Sequence, residues 1–452
     1  MLKRKINEVL SKWKSANSTK CLLLEGARQI GKTYSVREFA KENYDSFIEI
    51  NFIESPSLIN VFSEELDTDS IVMKLGLYMP GVKIIEGNTL LFLDEIQECS
   101  NATTALKFLA SDKRIDVICS GSALGIRYNT HTSYPVGSVE HVEMYPLDFE
   151  EFLWALGIDE KIIDNIKKFA NNKEYDKSVP FAVHEKMKEY MQQYLVLGGM
   201  PEVVQRFVDT HDYYIADGVQ RNIYQDYLND IARYADPEIK IKTEMCYKSI
   251  STQLSKENHK FQFGKVIKRS NGAMFESSLD WLMASYMVIP VFNVSSFQYP
   301  LNMFEIENNF RMYHNDTGFL ISTYSYEMKQ LLIQDLAIEQ KPENLVLGVA
   351  KGGIYETFVA SVLHKKGINR LHFFRNEKAT QEIEFIIETK DGIVPIEVKA
   401  GRTGTKSLNA VLQDEKIPYG FKFSSQNIGK QDKKITMPLY LLPFIDKILI
   451  CT

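Results

Sequence analysis

The stretch that most constrains this chain is Gly26-Ala27-Arg28-Gln29-Ile30-Gly31-Lys32-Thr33, which has the form G-x-x-x-x-G-K-[ST]. It follows the apolar run Cys21-Leu22-Leu23-Leu24 directly and precedes a helical stretch running towards Glu42, so it reads as a strand, a loop and a helix in succession. In such a unit the glycines let backbone N–H groups curl around a β-phosphate at a helix N-terminus. Lys32 neutralises charge on the β/γ oxygens, and the Thr33 hydroxyl can ligate Mg²⁺. Gly26 to Thr33 are therefore candidate nucleotide-binding positions, with ATP and Mg²⁺ as the implied ligands.

The surrounding pattern supports an α/β fold. Short apolar runs at Phe47-Ile48-Glu49-Ile50, Leu90-Leu91-Phe92-Leu93, Ile115-Asp116-Val117-Ile118 and Val139 to Met144 alternate with helical stretches. Buried runs separated by helices are what a parallel sheet covered on both faces produces. The run at Leu90 ends in Asp94-Glu95, the Walker B arrangement, in which Asp94 holds Mg²⁺ through water and Glu95 orients or deprotonates the attacking water. The next strand ends in Ser120-Gly121-Ser122. Ser120 is placed to reach the γ-phosphate or the lytic water, the sensor 1 role, and Ser122 equally suits a helix N-cap.

Four segments are predicted: 1–155 as a parallel-sheet α/β nucleotide-binding core, 156–235 as a helical lid, 236–335 as a compact helical module ending in a hairpin and 336–452 as a further α/β domain. The chain has 452 residues, 44% hydrophobic and 25% charged, which is the composition of a globular protein. Its net charge of −6 disfavours nucleic-acid binding by the whole surface and leaves only local patches. One such patch runs from Lys240 through Lys242, Lys248, Lys256, Lys260, Lys265 and Lys268 to Arg269; it is either a solvated face or a winged-helix contact to DNA phosphate. No apolar run approaches the length that crosses a bilayer and no signal core follows the basic N-terminus, so a cytoplasmic location is expected. The five cysteines, Cys21, Cys99, Cys119, Cys246 and Cys451, lack the spacing of a zinc site or a disulfide framework.

Taken in order, Gly26 to Thr33, Leu93-Asp94-Glu95-Ile96-Gln97, Ser120-Gly121-Ser122, Tyr145 to Phe152, Gly198-Gly199-Met200-Pro201-Glu202 and Asp316-Thr317-Gly318 resemble the prokaryotic AAA-type ATPases. In that group a C-terminal domain of unknown function with a restriction-nuclease-like fold follows the ATPase module. The resemblance covers nearly the whole chain and implies a P-loop NTPase core, a helical lid holding the Gly-Gly-x-Pro turn, a winged-helix-like middle and a nuclease-like α/β end. Many members of that group carry Gly-Arg before the last core strand, where this chain has Gly137-Ser138. An arginine finger is therefore not assigned from the motif; Arg127 is a nearby candidate, and an arginine from another subunit of an oligomer is the other. The Gly198-Gly199 turn either faces the nucleotide or is an ordinary interhelical turn, and Asp316-Thr317-Gly318 reads as a turn after a strand.

In the last segment, Glu384 lies on one strand and Glu397-Val398-Lys399 on the next, the (D/E)…(D/E)-x-K pattern of restriction-type nucleases. Two carboxylates would hold Mg²⁺ and Lys399 would orient water, with Glu356 completing the shell as the resemblance implies. The bland alternative is a solvated face on which Glu397 and Lys399 alternate with core-facing Ile396 and Val398. Two functions compete for the chain as a whole. One is Mg²⁺-dependent ATP hydrolysis controlling the C-terminal domains, and the other is a nucleotide-gated DNA-binding or signalling module with little hydrolysis and an inactive nuclease-like end.

Overall fold

In the computed structural model, the residues described are 2–16, 18–122, 135, 137–172, 174–256, 259–337, 345–378, 380–400 and 406–446. They divide into two units, Lys3–Tyr145 with Ala284–Tyr286, and Met1–Leu2 with Pro146–Met283 and Met287–Thr452.

The N-terminal unit is built on five parallel strands: β1 (Cys21–Gly26), β2 (Ser46–Asn51), β3 (Thr89–Asp94), β4 (Asp116–Ser122) and β5 (Val139–Glu143). Their order across the sheet is β2-β3-β4-β1-β5. Every residue of β1 and β3 is buried, which is why both read as unbroken apolar runs and not as alternating ones. Leu91, Leu93 and Ile50 share one core with Leu106 and Ala102 of the helix Ser100–Leu109. Because all five strands run the same way, β1 to β4 deliver their C-terminal residues to one edge of the sheet. In an open parallel sheet that edge is where ligands bind. Pairing sets Asn51 opposite Asp94 and Gly26 opposite Ser122.

The second unit carries an eight-stranded mixed sheet: β6 (Val288–Val294), β7 (Glu305–His314), β8 (Leu371–Arg375), β9 (Glu382–Thr389), β10 (Gly392–Val398), β11 (Gly420–Ser424), β12 (Gly429–Gln431) and β13 (Lys434–Pro438). The order is β12-β13-β11-β10-β9-β8-β6-β7. Here the structure departs from the sequence reading. The hairpin β6–β7, expected to close a separate module at 236–335, forms the edge of the C-terminal sheet, with Val291 of β6 paired to Leu371 of β8. Val288-Ile-Pro-Val-Phe-Asn-Val294 is too apolar to serve as an exposed wing and needs a neighbour on each side.

The helical segment after Asp148 likewise belongs to this second unit. The Asn171 amide donates to Phe444 O at 3.0 Å and accepts from Asp446 N at 2.8 Å. The Asn427 amide both donates to and accepts from the backbone of Val179, at 2.8 and 3.0 Å. His184 Nδ1 lies 2.8 Å from the Tyr440 hydroxyl, and Phe149 packs on Phe444. The part of that segment from Asn171 to His184 is thus fastened to the end of the C-terminal sheet.

The Gly198-Gly199 turn joins the helices Phe181–Leu197 and Pro201–Thr210, with Pro201 in the first position of the second. A Cβ on Gly199 would lie 2.1 Å from Leu147 O, and Gly198, at φ 73°, abuts Asp316 and Gly318. Asp316 is buried and accepts from Gly199 N at 2.7 Å and Gly318 N at 2.8 Å. It therefore N-caps the helix Thr317–Ser322, which corrects the reading of Asp316-Thr317-Gly318 as a simple turn. Asp316→Ala leaves two buried N–H groups without an acceptor. It is expected to cost about 2–4 kcal/mol, with Asp316→Asn costing less because one acceptor oxygen remains. Urea denaturation of the two variants checks this, and an unchanged midpoint in the alanine variant would contradict the capping role.

Candidate functional site

Three residues curl the loop that leaves β1. Gly26 has φ 149° and a Cβ there would lie 2.3 Å from Met144 O, so only glycine fits. Gln29 at φ 59° and Gly31 at φ 91° then turn the chain into the helix Lys32–Asn43. Gly31 occupies the N-cap position and brings no side chain to it, so the first turn of the helix opens towards the loop, the arrangement suited to an anion. The Lys32 ammonium is buried and donates to Gly26 O at 3.0 Å and Ala27 O at 2.8 Å. Burial lowers its pKa to about 8, against the opposing pull of Glu95 and Asp94.

Asp94 gathers the ends of the neighbouring elements. Its Oδ2 accepts from the Thr33 hydroxyl at 3.0 Å and from the Asn51 amide at 3.1 Å. Its Oδ1 accepts from the Ser120 hydroxyl and from Glu95 N, the latter at 3.2 Å. Burial pushes the Asp94 carboxyl above the ordinary range, while the Ser120 and Thr33 bonds and the charge of Lys32 act the other way. Ser120, expected at the γ-phosphate or the lytic water, has its hydroxyl on Asp94. Ser122 ends β4; the helix it was considered to cap would begin beyond it, outside the described residues, as does Arg127.

Glu95 sits in the left-handed region at φ 53°, and its Oε2 accepts from the Gln97 amide at 2.6 Å. Sequence reasoning missed Asn51 and Gln97. Gln97 follows Glu95 at a spacing that could have signalled a local partner. Asn51 gave no signal, because its neighbour Asp94 is set by the pairing of β2 with β3. Asn51 Oδ1 also accepts from Ile53 N and Glu54 N, both at 3.0 Å, which fixes its orientation.

Two hard oxygen donors, the Thr33 hydroxyl and the Asp94 carboxylate, stand beside the loop, and a buried carboxylate of raised pKa is stabilised by a nearby cation. Both fit Mg²⁺, which takes one or two protein oxygens and completes its shell with phosphate and water. Among the described residues no trio of His, Cys, Asp and Glu is placed to form an all-protein metal cage.

The C-terminal carboxylates are engaged differently from expectation. Glu356 Oε2 accepts from the Tyr313 hydroxyl at 2.7 Å and faces His259 Nδ1 at 2.7 Å and the Arg311 guanidinium at 3.3 Å. Although burial acts the other way, His259, Arg311 and Tyr313 together hold its carboxyl well below the ordinary carboxylate range. Lys399 Nζ donates to Glu384 Oε1 at 2.7 Å, and Val398 N donates to Glu384 Oε2 at 3.1 Å. Glu397 does not lie on a solvated face: β10 is buried on both sides, and Glu397 is 1% exposed. Its Oε2 has no hydrogen-bond partner among the described residues, and burial pushes its pKa up to about 7. Glu384 and Glu397 thus stand on either side of Lys399, at 2.7 and 3.9 Å, whereas Glu356 is engaged by His259, Arg311 and Tyr313.

Residues 18–153 match the AAA domain family. Residues 188–329 match a domain of unknown function, DUF8612, and residues 351–442 another, DUF4143. No curated protein matches the chain. Solved structures similar to it include the Walker-type ATPase paby2304 of Pyrococcus abyssi, at 14% identity over 71% of this chain and 95% of that one, with a TM-score of 0.43. Others are the Aeropyrum pernix ORC1 protein in complex with DNA, at 9% identity over 75% and 93% with a TM-score of 0.29, and the RuvB Holliday junction branch migration motor of Thermotoga maritima, at 13% identity over 64% and 89% with a TM-score of 0.29. The match of residues 18–153 to the AAA domain family, with the P-loop on a parallel sheet inside it, supports ATP binding by the chain.

Proposed function

We propose that this chain is a Mg²⁺-dependent ATPase in which ATP occupies the loop Gly26–Thr33 and its hydrolysis state governs the second unit. The observation that carries the reading is the convergence of Thr33, Asn51 and Ser120 on Asp94, beside a buried Lys32. Loop N–H groups would bind the phosphates, and Lys32 would exchange its bonds to Gly26 O and Ala27 O for phosphate oxygens. Thr33 and Asp94 would hold the magnesium, which supplies charge neutralisation between the β- and γ-phosphates. Asn51 and Ser120 keep the Asp94 carboxylate in one orientation. Glu95, released from Gln97, would orient the attacking water and accept its proton. With Gly137-Ser138 in place of a Gly-Arg pair, turnover by a single chain is expected to be slow.

A second reading, nucleotide-gated DNA binding, has one observation in its favour. Lys256, Lys265, Lys268 and Arg269 are exposed, and their side chains enter no ion pair among the described residues, which suits phosphate contact. DNA cleavage is disfavoured by the engagement of Glu356 and Glu384 with resident cations.

Glu95→Gln is expected to bind MgATP like the wild type and to lose turnover by about 10²-fold or more, whereas Lys32→Ala loses both. Phosphate release and calorimetry separate these outcomes, and equal turnover by Glu95→Gln would remove Glu95 from the mechanism. Absent phosphate release together with nucleotide-dependent DNA binding would favour the second reading. The pH dependence follows from Lys32. Below its pKa of about 8 the side chain is an ammonium that attracts triphosphate, and above it the free protein carries a neutral amine. ATP affinity should be flat up to about pH 7.5 and fall roughly tenfold per unit above about pH 8. Lys32→Arg, charged throughout, should lack that fall.

A further inference from the structure

Arg4 lies two residues ahead of the first helix, Ile6–Ser15, and is 6% exposed despite its charge. Its guanidinium donates from Nη1 to Ile30 O at 2.9 Å and from Nη2 to Tyr145 O at 2.7 Å. Ile30 stands between the two left-handed residues Gln29 and Gly31, at the point where the phosphate loop bends into its helix. A planar guanidinium can hold two carbonyls at once in fixed geometry; an ammonium cannot reproduce that fork.

Tyr145 is the last residue of the first run of the N-terminal unit. Its neighbour Met144 is also held at the loop: Met144 N donates to Glu25 O at 2.8 Å, and Met144 O fills the space that a side chain on Gly26 would need. The next residues, Pro146 and Leu147, belong to the second unit and are anchored within it. Leu147 N donates to Gly199 O at 2.7 Å, Leu147 O accepts from the Tyr194 hydroxyl at 2.7 Å, and Lys365 Nζ donates to Pro146 O at 3.1 Å. A single peptide step, Tyr145 to Pro146, therefore separates an anchor on the phosphate loop from an anchor in the second unit.

We infer that Arg4 is a positioning residue for the phosphate loop, and that it ties the loop to the point where the chain passes into the second unit. This rests on the ATP-binding reading above. Lys32 braces the loop from inside through Gly26 O and Ala27 O, bonds it must surrender to phosphate, while Arg4 braces it from outside through Ile30 O and keeps its bonds when nucleotide arrives. A shift of the Ile30 carbonyl on nucleotide binding is passed by the same guanidinium to Tyr145, and by chain connectivity to Leu147.

The test uses the full chain and two readouts, MgATP affinity by calorimetry and amide exchange with and without MgATP. In wild type, MgATP should slow exchange in the loop and change exchange at the Met144 and Leu147 amides together. In Arg4→Ala the affinity should fall about tenfold, and the loop should still respond to saturating MgATP while Met144 and Leu147 do not. Arg4→Lys, which retains the charge, should show the same loss of coupled response and carries the test if Arg4→Ala fails to fold. Wild-type affinity and wild-type exchange response in either variant would overturn the role of Arg4. Absence of MgATP binding by the wild type would instead overturn the nucleotide reading, and the Arg4 inference with it.

Discussion

The buried carboxylate of Asp94 is the interaction on which the N-terminal unit depends. Taking an ionised carboxylate out of water costs several kcal/mol unless donors replace its hydration, and here four donors do so: one from the phosphate-loop helix, one from β2, one from β4 and one from the backbone of Glu95. No single element could supply them. They meet because parallel strands in the order β2-β3-β4-β1 bring their C-terminal ends to a common edge, so the sheet topology and the electrostatics of the site are one constraint. The same carboxylate whose protonation is favoured by burial is the one a divalent ion would relieve, which gives the loop and the strand a common reason to face each other.

Much of this unit was legible in the residues. An unbroken apolar strand running into G-x-x-x-x-G-K-T is a local signal, since the strand, the positive-φ glycines and the helix all lie within about 30 residues. What could not be read was lateral. Asn51 is 43 residues from Asp94, and its role arises only because β2 is the neighbour of β3. Ser120 pointed to the right edge of the sheet, but the partner of its hydroxyl was set by register.

The second unit was less legible for the same physical reason. Alternation of Glu397, Val398 and Lys399 looks identical in a half-solvated strand and in a buried one, and only what packs against β10, including the helices Leu345–Lys365 and Lys406–Val411, decides that its residues are covered. Once inside, the acidic groups find basic partners supplied by β7, by the segment at His259 and by the end of β10 itself. Glu397 stands 3.9 Å from Lys399 with no donor to Oε2 among the described residues, and its burial pushes the carboxyl above the ordinary range. The strand β6 joins the sheet of β8 to β13 across the boundary expected near residue 335 because it is largely apolar, a property that demands neighbours but does not say which. By contrast, the cap made by Asp316 had a local signature, an Asp immediately ahead of a helix, that competed with an equally valid turn reading.

The paired amides of Asn427 and Asn171 have a consequence for how the polypeptide can be divided. Their four bonds join the Asn171 side chain to the backbone of Phe444 and Asp446, and the backbone of Val179 to the Asn427 side chain, so the middle helices are tied to the segment after β11. A fragment stopped ahead of β11 would expose those carbonyl and amide groups together with the aromatic seam of Phe149 and Phe444. The helices from Phe149 to Leu197 therefore draw part of their packing and hydrogen bonding from the segment after β11.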